Sequence, residues 1–212
     1  DMTLKTSKEA EPLSYYYAVE TDGVIKRKEL GIVAHRLDLN LLKASHYRIF
    51  DKWINFPSDA HLYTSAFTDC LNKGRYKALP PTGFSQTLRL IVRAPQLGFG
   101  EELAVVGKSK HLGQWIANKA LAMTEVQHHE WAIDLDATHF QGEEMEFKFI
   151  ARNVTNNTTT WEDKFNRTLL LPNTMSNEAL VYELDACYFG VRSPKMAGTL
   201  VPVFSLRTKG SF

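Results

Sequence analysis

Short runs that alternate apolar and polar residues, each closed by Gly, Pro or Asn, leave this chain few options besides a β fold. Residues 87–93 put Leu88, Leu90 and Val92 on one side, and residues 102–107 do the same with Leu103 and Val105. Residues 131–135 alternate Trp131, Ile133 and Leu135, and residues 145–150 set Met145, Phe147 and Phe149 against Glu146, Lys148 and Ile150. Residues 167–171 complete the series, and no long helical period interrupts it. Strands of this length and spacing predict an all-β chain built as an Ig-like antiparallel β-sandwich.

Punctuation divides the chain. Residues 72–84 hold Lys73-Gly74-Arg75 and then Leu79-Pro80-Pro81-Thr82-Gly83, where paired prolines stiffen the backbone and remove donors, so they read as a linker. Residues 85–174 are expected to form one complete domain, and residues 175–212 a connector leading into a further domain. Residues 1–71 echo the later part: Leu13 to Tyr17 alternates as Met145 to Phe149 does. Glu29 follows Tyr17 by 12 residues, and Glu162 follows Phe149 by 13. The echo predicts a tandem repeat whose first copy lacks its front half. Asp1 is not an initiator Met, and the chain stops at Phe212 where more would be expected, so both ends read as boundaries within a longer protein.

Charge is balanced at 25 basic against 24 acidic residues, which gives no field to attract nucleic acid or an anionic membrane and suits a neutral polymer. No apolar run approaches the roughly 18 residues of a membrane span, and the first residues lack a signal-peptide plan. Cys70 and Cys187 read as free thiols of a reducing, cytoplasmic setting, with a single bridge as the alternative. No GxSxG, P-loop, GxGxxG or HExxH motif is present, and no catalytic residue, metal or cofactor is expected. His128-His129 reads as a loop pair. The acidic neighbours Glu143-Glu144 and Glu101-Glu102 would point to opposite faces of a strand and read as solvated.

Two tryptophans stand apart from the core pattern. Trp115 follows Leu112-Gly113-Gln114 and precedes Ile116-Ala117-Asn118-Lys119; Trp161 lies between three threonines and Glu162-Asp163. Both contexts are polar and turn-rich, whereas Trp131 leads an alternating strand and belongs in the core. An exposed indole can lie against the C–H face of a pyranose, with amide, carboxylate and ammonium groups beside it to hold hydroxyls. Lys148, Glu162 and Asn166 are the candidates for that work.

These residues resemble a family 20 carbohydrate-binding module, the starch-binding domain. The resemblance rests on Gly107, Leu112-Gly113-Gln114-Trp115, Glu130-Trp131, Phe147-Lys148-Phe149 and Trp161-Glu162 through Asn166-Arg167, over about residues 85–172. It implies a glucan site of Trp115, Lys148, Trp161, Glu162 and Asn166, and a second site of Phe99, Glu101 and His129. The partner it implies is an α-glucan: starch, glycogen or maltooligosaccharides. Residues 197–207 resemble the entry to the family 77 glycoside hydrolase barrel, and residues 49–53 and 63–69 resemble the tail of a first starch-binding module. Together they suggest the N-terminal part of a long-form 4-α-glucanotransferase (amylomaltase or disproportionating enzyme 2 type), which transfers glucanyl segments with residues beyond Phe212. A stand-alone glycogen- or starch-targeting module is the alternative.

Overall fold

The computed structural model describes residues 13–29, 34–37, 44–53, 77–98, 100–127, 129–174, 176–186 and 189. In chain order the strands are β1 (Leu13–Tyr15), β2 (Ala18–Thr21), β3 (Val24–Lys28), β4 (His35–Leu37), β5 (His46–Phe50), β6 (Gln86–Arg93) and β7 (Glu101–Gly107). There follow β8 (Leu121–Ala122), β9 (Thr124–Gln127), β10 (Glu130–Asp136), β11 (Glu144–Asn153), β12 (Thr158–Trp161), β13 (Arg167–Leu170) and β14 (Glu178–Asp185). Helical structure among the described residues is limited to short 3₁₀ turns such as Lys110–Leu112 and Ala117–Lys119. The expected all-β sandwich is the fold found.

One sheet runs β5-β14-β6-β10-β9; the other runs β12-β11-β7-β8, with β13 also paired to β11. Alternation decides what lies between them. Leu88, Leu90 and Val92 of β6 meet Leu103 and Val105 of β7 and Met145, Phe147 and Phe149 of β11, all essentially buried. Trp131 joins this core at 7% exposure, as its strand pattern predicts.

β14 departs from the antiparallel expectation. It pairs in parallel with β6, Leu180 opposite Leu88 and Tyr182 opposite Leu90, and in parallel with β5 on its other side. The chain crosses from β13 in the second sheet to β14 in the first, so β14 re-enters in the direction of β6. Leu180 and Tyr182 face the central core, and Ala179 and Val181 face a second apolar cluster on the sheet's outer side. A strand covered on both faces loses its alternation and reads as the near-continuous run Ala179-Leu180-Val181-Tyr182. For that reason strand periodicity stops at residue 171 while the sheet does not.

Residues before the linker share this architecture. β5 forms the edge of the first sheet, and Leu37, with Leu13, Tyr15, Tyr47 and Ile49, packs on its outer face against Leu79, Ile91 and Ala132. Each β5 residue pairs with the one 132 positions later, from His46↔Glu178 to Phe50↔Tyr182, and the last pair stacks with ring centroids 4.2 Å apart. The same shift links two other ladders. Adding 132 to Leu13↔Leu37 and Tyr15↔His35, the ends of the β1–β4 ladder, gives Met145↔Leu169 and Phe147↔Arg167 of the β11–β13 ladder.

Candidate functional site

The site is built on the outward face of the second sheet. On β11, Met145, Phe147, Phe149 and Ala151 point into the core, so Glu146, Lys148 and Ile150 point away from it. Ile150 packs with Ala104, Val106, Ala117 and Ala120, which lays the segment around residues 117–120 across this face. Trp161 is directly opposite Ile150 in the β11–β12 ladder and shares its side of the sheet. At 36% exposure its ring is accessible.

Trp115 is placed by an unusual turn. Ser109 accepts the His111 N–H through Oγ at 3.2 Å, Leu112 is fully buried, and Gly113, Gln114 and Trp115 all have positive φ, at 77°, 51° and 61°. The last two are costly for residues with a Cβ, by about 1–3 kcal/mol each, and such strain gathers at functional sites. The turn is held because the Trp115 N–H donates to the Gly107 carbonyl at 2.9 Å and the Gln114 N–H to that of Ser109 at 3.2 Å. Both glycines are needed. A Cβ on Gly107 would lie 2.4 Å from the Glu146 carbonyl oxygen, and one on Gly113 would lie 2.6 Å from that of Lys119. The indole of Trp115 is left half-buried.

Because Gly107 pairs with Phe147 and Trp161 with Ile150, the two indoles hang from points three residues apart along β11, about 10 Å at strand rise. Between them runs the segment 162–166. The Lys148 ammonium donates to the carbonyls of Glu162 at 2.9 Å and Lys164 at 2.6 Å, and Asn166 Nδ2 donates to Glu146 Oε1 at 2.6 Å. Those contacts pin the segment at both ends and leave the Phe165 ring 95% exposed at its tip. Phe165 lies inside the sequence motif, and only the fixed loop shows that its phenyl ring stands in water.

Glu162 behaves differently from its neighbours. Its carboxylate is 1% exposed, accepts from Arg167 Nε at 3.0 Å and Nη2 at 2.5 Å, and accepts the Phe149 N–H at 3.1 Å. Arg167 in turn lies over the Phe149 ring, 5.0 Å from its centroid. A carboxylate enclosed by its own fold in this way fixes the segment between Trp161 and Asn166. Asn166 and Lys148 reach solvent but are already engaged with protein atoms.

Of the second expected site, Phe99 lies outside the described residues. Glu101 opens β7 and accepts the Gly98 N–H at 2.7 Å, while the His129 carbonyl accepts the Ala94 N–H at 2.8 Å. The two residues thus flank opposite ends of the β6–β7 loop, one on each sheet. Cys70, Cys187 and residues 63–69 and 197–207 also lie outside the described residues. No helix among the described residues is long and apolar enough to cross a membrane.

No curated protein sequence matches the chain significantly. Among solved structures, the γ-cyclodextrin glucanotransferase (gamma-CGTase) of alkalophilic Bacillus clarkii is similar at 22% identity and TM-score 0.41, over 49% of this chain and 15% of that enzyme. The family 15 glucoamylase of Hypocrea jecorina is similar at 26% identity and TM-score 0.40, over 53% and 19%. The family 20 module of the maltotetraose-forming amylase of Pseudomonas saccharophila matches at 18% identity and TM-score 0.36, over 44% of this chain and 98% of that module. The chain therefore spans a fifth or less of the two enzymes. The starch binding domain family (CBM_20) matches residues 86–181, the span of the sandwich from β6 into β14 and of every side chain in the outward-facing site.

Proposed function

We propose that residues 86–181 bind α-1,4-glucan on the outward face of the second sheet. Trp115 and Trp161 stack on glucose rings, Phe165 adds apolar contact, Lys148 and Asn166 offer donors at the rim, and Glu162 positions the segment that carries them. The observation that carries this reading is Trp161, exposed on the outward face of the second sheet, together with Trp115 in a turn of consecutive positive-φ residues tied to the end of β7. Each stacked ring contributes on the order of 1 kcal/mol, so affinity for a short oligosaccharide is weak and grows by avidity on a polymer. Titration of β-cyclodextrin or maltoheptaose against tryptophan fluorescence tests it. A response that Trp115→Ala and Trp161→Ala leave unaltered, or no response at all, rejects the site.

The wider context is proposed on narrower support. Tandem modules are favoured by the 132-residue shift that maps the β1–β4 ladder onto β11–β13. Under that mapping Tyr16 stands where the second copy has Lys148, and Lys28, one position further, where it has Trp161. The first copy then has no indole platform and acts as scaffold. A cytoplasmic 4-α-glucanotransferase acting on glycogen-type glucan or maltooligosaccharides is favoured by the resemblance of residues 197–207 to a barrel entry. Reading the gene past Phe212 tests it: a barrel with two carboxylates supports the enzyme, and a phosphatase loop or a stop codon favours the targeting module.

A further inference from the structure

The most concentrated group of ionisable side chains lies away from the glucan face, where the strands before the linker meet the first sheet. His35 is fully buried. Its Nδ1 is 2.7 Å from Glu183 Oε2 and 3.9 Å from Asp51 Oδ1, and its Nε2 is 2.9 Å from Glu29 Oε2. The side chains of Asp51 and Glu183 are 5% and 8% exposed. Asp51 Oδ2 accepts both tyrosine hydroxyls, Tyr15 at 2.6 Å and Tyr17 at 2.8 Å. Among the described residues no hydrogen bond reaches its other oxygen, whose near neighbour is the imidazole.

We propose that His35 Nδ1, Asp51 Oδ1 and Glu183 Oε2 form a binding site for a divalent first-row transition metal ion. These three atoms lie within 4.8 Å of one another. Ligands about 2.1 Å from a tetrahedral ion stand about 3.4 Å apart, and the two distances from Nδ1 bracket that value. The imidazole nitrogen selects transition metals over magnesium and calcium. Supporting groups are also in place: Glu29 grips the far imidazole nitrogen, the arrangement that fixes tautomer and orientation in metal-bound histidines, and the two tyrosines orient Asp51. Three carboxylates surround one imidazole, and Arg93 Nη2 is 3.7 Å from the far oxygen of Glu183 and 3.6 Å from Glu130. The pocket therefore carries negative charge in excess of its cations.

Burial lowers the His35 pKa, and the hydrogen bonds and charges of Glu183, Glu29 and Asp51 outweigh it and hold the group above its ordinary 6.5. The incoming ion takes the Nδ1 lone pair, while Nε2 faces Glu29. The other charged and titratable groups facing the ring through its packing partners are Tyr15, Tyr17, Arg36, Arg93 and Glu130.

The test uses the full 212-residue chain, freed of metal with EDTA. Zn²⁺ is titrated by calorimetry in two buffers of different ionisation enthalpy, and Co²⁺ is added as a visible-absorption probe. Expected are one site per chain, the same stoichiometry in both buffers, and ligand-field bands of low-coordinate Co²⁺. Asp51→Asn and Glu183→Gln should each weaken binding at least about tenfold, and Glu29→Gln about tenfold through ring orientation. The stacked pair of half-buried His111 and exposed His139, 3.6 Å between centroids, is the competing surface site. His111→Gln/His139→Gln should leave binding unchanged. Absence of Co²⁺ bands, or binding that survives Asp51→Asn and disappears with the His111/His139 pair, overturns the proposal and leaves the cluster as an ion-paired imidazolium.

Discussion

Glu162 and Phe149 hold each other twice: the Phe149 N–H donates to the Glu162 carboxylate at 3.1 Å, and the Glu162 N–H donates to the Phe149 carbonyl at 3.1 Å. Glu29 and Tyr17 repeat the arrangement in the first part of the chain, at 2.7 Å and 3.0 Å. In both cases the acid is buried, and a cation five or six residues later completes it, Arg167 for Glu162 and His35 for Glu29. A buried carboxylate that satisfies a strand N–H and a cation together closes the gap where β12 leaves the sheet and β13 returns.

Glu162→Gln should destabilise the protein by about 3 kcal/mol, the usual scale for stranding one partner of a buried ion pair. Urea unfolding should show the loss with an unchanged denaturant slope. Glucan affinity should fall as well, because the Trp161–Asn166 segment loses its anchor. Glu29→Gln should loosen the strands before the linker and leave glucan affinity within about twofold. An equal effect of both substitutions on affinity would contradict the assignment of the sugar site to the second-sheet face.

Trp115→Ala and Trp161→Ala should each weaken β-cyclodextrin binding by about tenfold while altering stability by no more than about 1 kcal/mol, since neither ring is a core filler. Phe165→Ala should give a smaller loss, about threefold, with no change in melting temperature, because its ring touches solvent almost everywhere. Isothermal titration beside thermal melts separates the two quantities.

Gly113→Ala should cost about 1–3 kcal/mol, since the added Cβ would meet the Lys119 backbone at 2.6 Å with φ already at +77°. Its effect on glucan binding should exceed that of Gly100→Ala, a positive-φ glycine with open space around it. If the two substitutions weaken binding equally, the turn is not what aims Trp115.

With EDTA present, stability should fall as pH rises above 6.5. His35 has a folded-state pKa above its ordinary 6.5, so its stabilising contribution is complete below that value and is lost as pH climbs through the raised pKa. Glu130 acts in the same direction, from its ordinary 4.5 upward. Burial raises its pKa above the ordinary 4.5 despite Arg93, so its ionisation opposes folding as pH climbs through the raised value. Melting temperatures measured across this range should show the upper slope vanish in His35→Gln and persist in Glu130→Gln.

Legibility in the sequence followed periodicity. β6, β7, β10 and β11 each bury one face against the central core, so their alternation is written in the chain and their bounds were recovered within a few residues. β14 escaped because apolar side chains cover both of its faces in an unbroken run, Ala179-Leu180-Val181-Tyr182, and β12 because its threonines and Trp161 are largely exposed, so neither shows a one-sided pattern. Trp115 and Trp161 were legible from polar neighbours, and Trp131 from its strand. Glu162 was not, since a carboxylate in a turn looks the same in sequence whether it faces a ligand or an arginine behind the sheet.

By itself the sequence determined the strands that turn one apolar face to the core and that Trp131 goes inside, because these depend on spacing along the strand. Only the tertiary structure decided that β5 and β14 lie side by side in one sheet. It alone turned Glu162 inward and gathered His35, Asp51 and Glu183 into one pocket. Those are contacts between residues far apart in the chain, set by how two sheets stack and cross, and no local pattern encodes them.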